Sequence, residues 1–216
     1  MDPLELRNDY LDVADVAAAL LTEPAVAAAW EEHSALAEYT VGGLAGHYAG
    51  QIFFIGRVLQ EPPPKEEPIP LLDYYSRVSW LNEPGLDSPA NVRIRAASQE
   101  LAAAGPQSLS ERAAWAVGQL RTALPDLPPR NVRLPNWHDW SLTFDDFLTT
   151  RLFELVIHTD DLAVSVGLPT PELPDGAVDT VVALLAQLAV RRHGATDVIR
   201  ALSRAERAPT KPIAAI

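Results

Sequence analysis

The sequence predicts an all-α protein, a four-helix bundle carrying additional short helices. Three observations lead there. Apolar residues recur near every 3.6 positions through several long segments, no segment sustains the strict alternation of a half-buried strand, and the helical stretches are joined by short breaks and one long proline-rich connection.

From Asp9 onward, Leu11, Val13, Val16, Leu20 and Leu21 keep helical spacing until Pro24 interrupts, and a second helical stretch is expected over 25–38. The next helix is expected over 41–60, with Leu44, Ile52, Ile55 and Leu59 apolar and His47 and Gln51 one turn apart on a shared face. EPPPKEEPIP at 61–70 ends it. Each proline removes an amide donor and disfavours helix in the residue before it, so this stretch reads as a crossover within one domain. A short helix is expected over 71–81. Ser88-Pro89 then supplies an N-cap and a first helical residue for a helix ending near Gly105-Pro106.

Ser110 starts a further helix to about Ala123, and PDLPPRNVRLPNWHDWS follows as a loop bearing Trp137, His138 and Trp140. Loops of this length tend to be functional. Thr143 with Asp146 resembles a capping box, and its helix should run to Val166, where Gly167 and Pro169 stop it. Helices over 176–192 and 196–204 complete a single domain at 1–205, with 206–216 as a tail. There is no internal repeat or low-complexity block.

A formal charge of −12 repels phosphate backbones, and no basic stripe with interleaved aromatics offsets it, so nucleic acid is not expected as a partner. No apolar run reaches membrane-spanning length and the start lacks a leader pattern, so no membrane association is expected and the protein reads as cytoplasmic. The chain contains no cysteine, which removes disulfides, thiolate metal sites and a cysteine nucleophile. Thiol chemistry would require a borrowed thiol.

Glu154 and His158 stand four residues apart in RLFELVIHTDDLA, on one helical face among apolar neighbours. Burying both is costly unless something pairs with them, and a divalent metal would do so; the alternative is a surface ion pair. His47, within TVGGLAGHYAGQIFFIG, supplies the third ligand that a catalytic zinc site requires, and its small neighbours allow another helix to come close. Neither HExxH nor the paired ExxH motifs of di-iron bundles is present. Gln51 and Asp161 are placed to hold the free ring nitrogens of these histidines, the alternative being that they simply face solvent. Asp160 and Arg151 read as solvated or salt-bridged. His138 could act as an acid or base over the pocket or simply be exposed, and His33 and His193 suit helix C-termini. Arg191, Arg192, Arg200, Arg204 and Arg207 either pack against acidic helices or send one guanidinium to a substrate carboxylate.

TVGGLAGHYAG at 40–50, RLFELVIHTDDLAVSVGLP at 151–169, and ALSRAERAP at 201–209 with RRHG just before it resemble the mycothiol-dependent maleylpyruvate isomerase family of the DinB-like superfamily. The resemblance implies a DinB-like four-helix bundle with His47, Glu154 and His158 as ligands of a divalent metal, zinc being expected. It further implies mycothiol as the thiol cosubstrate and isomerisation or S-transfer on an electrophilic small molecule. A homodimer stays open as the assembly, and no residue pattern specifies it. A metal-hydroxide hydrolase and a non-catalytic metal- or ligand-binding bundle use the same ligands and stay open.

Overall fold

The structure, a computed structural model, describes residues 2–82, 85–135, 137 and 139–216. Helix α1 (Pro3–Leu21) begins well before the expected Asp9, because Asp2 accepts a bond from the Leu4 amide and Pro3 occupies the first turn. Helix α2 (Pro24–Ala28) stops far short of Glu38, where the second stretch was expected to end. There the Ser34 hydroxyl bonds to the carbonyls of Leu36 and Tyr39, and Glu38 takes a left-handed φ of 65°. Side-chain bonding of this kind competes with helix.

Helix α3 (Val41–Gln60) has the predicted bounds, capped by Thr40 on the Gly43 amide. The expected helix over 71–81 divides into α4 (Leu71–Tyr75) and α5 (Ser79–Asn82), the Asn82 amide filling the carbonyls of Tyr75 and Val78 at the break. Helix α6 (Pro89–Ala102) starts on Ser88 as read. Helix α7 (Pro106–Ala123) starts at Pro106 and not at Ser110, since Gly105, at φ 86°, turns the chain and Pro106 presets the first helical φ.

Within the expected loop, β1 (Asn131–Val132) pairs antiparallel with β2 (Leu142–Thr143), strands too short to show alternation. Pro68 bridges Ser141, and the Ser141 hydroxyl donates to the Glu66 carbonyl, so the proline-rich crossover is fastened to this ribbon. Helix α8 (Phe144–Ser165) follows, with Thr143 accepting from the Asp146 amide as the capping pattern predicts. Helices α9 (Asp175–His193) and α10 (Ala195–Ser203) come next. The segment at 208–216 returns to α9, where His193 and Arg192 bond the carbonyls of Ala214 and Ala215. Among the described residues, no helix is long and apolar enough to cross a membrane.

The fold is an all-α bundle. Helices α1, α3, α7 and α8 close a ring in which α1 and α3 each pack against both α7 and α8. Helix α6 covers α3, α9 lies on α8 and α1, and α10 lies on α9. Tyr10, Leu44, Tyr48, Ile52, Ile55, Phe147, Phe153 and Leu155 fill the centre with no exposed surface. Buried polar atoms there are matched: Tyr48 donates to Thr159, which donates to the Leu155 carbonyl, and Tyr10 donates to the Gln51 carbonyl. Trp137 and Trp140 of the ribbon loop are stacked at 4.1 Å and buried against Tyr74, with Trp137 also on Phe147, so these tryptophans belong to the core. His138, the other site reading placed on this loop, lies outside the described residues.

Helices α3 and α6 approach closely at Gly46. A Cβ on Gly46 would lie 2.1 Å from the Ser98 carbonyl oxygen, a backbone atom that cannot yield without moving α6. Gly118 on α7, by contrast, faces open space and is exposed. Gly46→Ala should therefore lower stability by about 1–2 kcal/mol, overpacking outweighing the gain in helix propensity, whereas Gly118→Ala should raise it by up to about 1 kcal/mol. Urea unfolding of the two variants checks the opposite signs, and stabilisation by Gly46→Ala would contradict the contact.

Candidate metal centre

Three side chains from two helices meet on one side of the bundle. His47 projects from the middle of α3, and Glu154 and His158, one turn apart, from α8, which packs directly on α3. Glu154 Oε2 lies 3.2 Å from His47 Nε2 and 3.3 Å from His158 Nε2, and the two rings stand nearly perpendicular with centroids 4.8 Å apart. The three side chains are only 12–16 % exposed, in contact with solvent but too enclosed for free hydration.

The spacing suits a cation. Two donors each 2.0–2.1 Å from one ion at the tetrahedral angle stand about 3.3–3.4 Å apart, close to the separations found here. One ligand atom from each residue lies within 4.8 Å of the others, and two imidazoles with a carboxylate form a donor set that could hold zinc or a similar divalent ion.

The three groups also compensate one another electrostatically. Burial works to raise the Glu154 pKa, but hydrogen bonds from His158 and His47, with the charges of His158 and Arg151, prevail and hold the carboxyl well below its usual range. Burial also opposes a charged His158, yet the bonds and charges of Asp161 and Glu154 outweigh it and lift the ring to about 9. At His47 burial prevails over Glu154, and the ring is pushed below its ordinary value.

The groups around the cluster agree only partly with the sequence reading. Asp161 Oδ2 lies 2.8 Å from His158 Nδ1, the free nitrogen it was expected to hold. Gln51 does not hold the corresponding nitrogen of His47. Its Nε2 donates to the His47 carbonyl at 2.9 Å and lies 3.3 Å from Nε2, on the side facing Glu154. The Nδ1 of His47 instead meets the Ser98 hydroxyl of α6 at 3.3 Å.

Arg151 was read as solvated or salt-bridged; it is buried, and among the described residues it forms no ion pair. It is 7 % exposed, donates to Gln51 Oε1 at 2.5 Å and to Thr150 Oγ1 at 3.1 Å, and lies over the rings of Phe54 and Phe147. A guanidinium stays charged in such surroundings, and its bond to Gln51 fixes which end of that amide faces His47. The Tyr75 hydroxyl is buried without a partner among the described residues. Burial, with the nearby charges of Tyr74 and Glu154, raises its pKa well above the ordinary value.

The remaining candidates lie elsewhere. Asp160 is exposed and accepts from Thr170. Arg191 joins α9 to α4 through Asp73 and the Leu72 carbonyl, Arg192 reaches Ala215, and Arg200, Arg204 and Arg207 bond within their own segment. His193 ends α9, but His33 sits in the connection after α2, bridged to Thr40.

A family profile described as mycothiol maleylpyruvate isomerase N-terminal domain matches residues 11–163, from within α1 to the last turn of α8. No curated protein and no solved structure matches the chain significantly. The matched span holds well over half of the sequence, including the whole His47, Glu154 and His158 cluster and the Asp161, Gln51, Ser98 and Arg151 around it, and the chain belongs to the mycothiol maleylpyruvate isomerase N-terminal domain family.

Proposed function

We propose that His47, Glu154 and His158 hold a zinc ion, and that the protein uses mycothiol as a cosubstrate for isomerisation of, or S-transfer to, an electrophilic small molecule. The observation that carries the reading is the convergence of two imidazole nitrogens on one carboxylate oxygen at 3.2 and 3.3 Å, inside a span that matches a mycothiol-linked family. A zinc ion bound there would supply a Lewis acid that favours the thiolate form of a coordinating thiol at neutral pH.

The chain's own residues prepare this chemistry. Asp161 accepts a hydrogen bond from the Nδ1–H of His158, which leaves the Nε2 lone pair free to bind a metal and holds the ring at a fixed angle. Glu154 brings one negative charge, so that two neutral rings and one carboxylate leave a divalent ion a net positive charge that attracts an anionic sulfur. Arg151 turns the Gln51 amide so that its nitrogen faces the cluster, where the hydrogen not given to the His47 carbonyl can donate to an anion bound beside His47. Phe54, Phe147 and the apolar residues of α8 keep the surroundings dry and strengthen these interactions. The chain has no thiol, so the nucleophile has to arrive as a small molecule. Addition of its thiolate across an electrophilic carbon–carbon double bond gives a carbanion with a rotatable single bond; rotation and expulsion of the thiolate restore the double bond as the isomer, whereas protonation of the carbanion by solvent keeps the new carbon–sulfur bond and completes transfer.

Purified protein loaded with zinc should carry about one ion per chain by elemental analysis, and His158→Ala should carry almost none. A wild-type protein that takes up no metal under any loading condition would remove the reading. Chelation should leave the far-UV dichroism nearly intact, because the bundle has a core of its own, unlike domains that fold only around their ion. A helical signal that collapses on chelation would move the ion to a structural role. Mycothiol should bind the zinc-loaded protein and not the metal-free form, with a binding enthalpy that varies with buffer as the thiol proton is released. Equal affinity for the two forms would exclude coordination of the thiol and favour hydroxide chemistry or simple ligand binding.

A further inference from the structure

The two imidazoles of the cluster are supported by different chemistry. Asp161, one turn along the same helix, supports His158 with a carboxylate. His47 receives its support from another helix and from a neutral group, the Ser98 hydroxyl at 3.3 Å. Ser98 is 3 % exposed and, with Ala90 and Ala102, makes up the buried stripe of α6, where it is the only polar side chain among the described residues. Its own hydrogen is directed to the Ile94 carbonyl at 2.8 Å, one turn earlier in α6. A hydroxyl that has given its only hydrogen away presents lone pairs to any further partner. An imidazole that binds a cation through Nε2 as a neutral ligand carries its proton on Nδ1, the nitrogen facing Ser98.

We propose that Ser98 is the positioning residue of His47: its hydroxyl accepts the Nδ1 proton, fixes the ring angle and leaves Nε2 as the nitrogen aimed at Glu154. The inference rests on the metal reading above and extends it to a third helix. The sequence builds this contact in two places. Gly46 lets α6 approach until a Cβ would lie 2.1 Å from the Ser98 carbonyl, and His47, the next residue, then reaches Ser98 across the contact. A serine bonded to the carbonyl one turn back is common in helices and needs no neighbour to explain it. What distinguishes Ser98 is its burial directly opposite the one ring nitrogen of the cluster that no carboxylate serves.

The test compares wild type and Ser98→Ala by zinc competition against a chelator and by long-range proton–nitrogen NMR of the zinc-loaded proteins. Ser98→Ala should bind zinc about 10-fold or more weakly, in the range typical for loss of such a partner, with unchanged helicity. The Nδ1 proton of His47, slow to exchange in wild type, should exchange rapidly in the variant, while that of His158, held by Asp161, should stay protected. Zinc affinity within about two-fold of wild type, or an Nδ1 proton equally protected without the hydroxyl, would overturn the role of Ser98 and leave the metal reading standing. Failure of wild type to bind zinc would overturn both.

Discussion

Glu154 lies almost fully enclosed between two imidazoles, and this burial constrains much of what surrounds it. A carboxylate taken out of water requires compensation of several kcal/mol, which the apolar residues of α8 cannot give. Compensation comes from three directions: His158 on the same helix, His47 across the α3–α8 contact, and the charge of Arg151 one turn earlier in α8. Each compensating group then needs support of its own. Asp161 serves His158, Ser98 meets His47, and Gln51 with the rings of Phe54 and Phe147 receives Arg151. In this way α3, α6 and α8 are tied to the same few atoms.

The architecture follows from the same need for close approach. Helix α3 carries glycine or alanine at positions 42, 43, 45, 46, 49 and 50, and all six are buried. Small residues bring neighbouring backbones near enough for short polar side chains such as Ser98 to cross between helices. Arg7 closes the other end of the bundle by bonding the carbonyls of Leu124 and Leu127 and the Asp145 carboxylate, which joins α1 to the end of α7 and the start of α8. The cluster therefore rests on long, mutually packed helices, and rigid elements of this kind hold donor geometry better than loops do.

Much of this was legible in the residues. The Thr143 cap, the long α8 and the bounds of α3 follow from capping chemistry and apolar period, and the spacing of Glu154 and His158 places both on one face before any tertiary contact is known. Asp161 was legible for the same reason, being local to its partner. Ser98 was not, because its meaning depends on which face of α6 meets Gly46, and an isolated serine in an alanine-rich helix carries no motif. Arg151 misled because arginine is rarely buried without a carboxylate, and only the fold shows Gln51 and two aromatic rings standing in for one. Gln51 was placed beside the right histidine but on its other nitrogen, a distinction that depends on ring orientation and not on spacing. The early end of α2 and the division of α4 from α5 reflect side-chain bonds to local carbonyls, which compete with helix where the apolar period alone would continue it.

The central claim is that His47, Glu154 and His158 present a zinc ion to a small thiol, and X-ray absorption at the zinc edge of the loaded protein tests it most directly. The account predicts two imidazole nitrogens and a carboxylate oxygen at about 2.0–2.2 Å, with the remaining light scatterer replaced by one sulfur at about 2.3 Å when mycothiol is added. A spectrum without imidazole scattering, or one that gains no sulfur at saturating mycothiol, would contradict it.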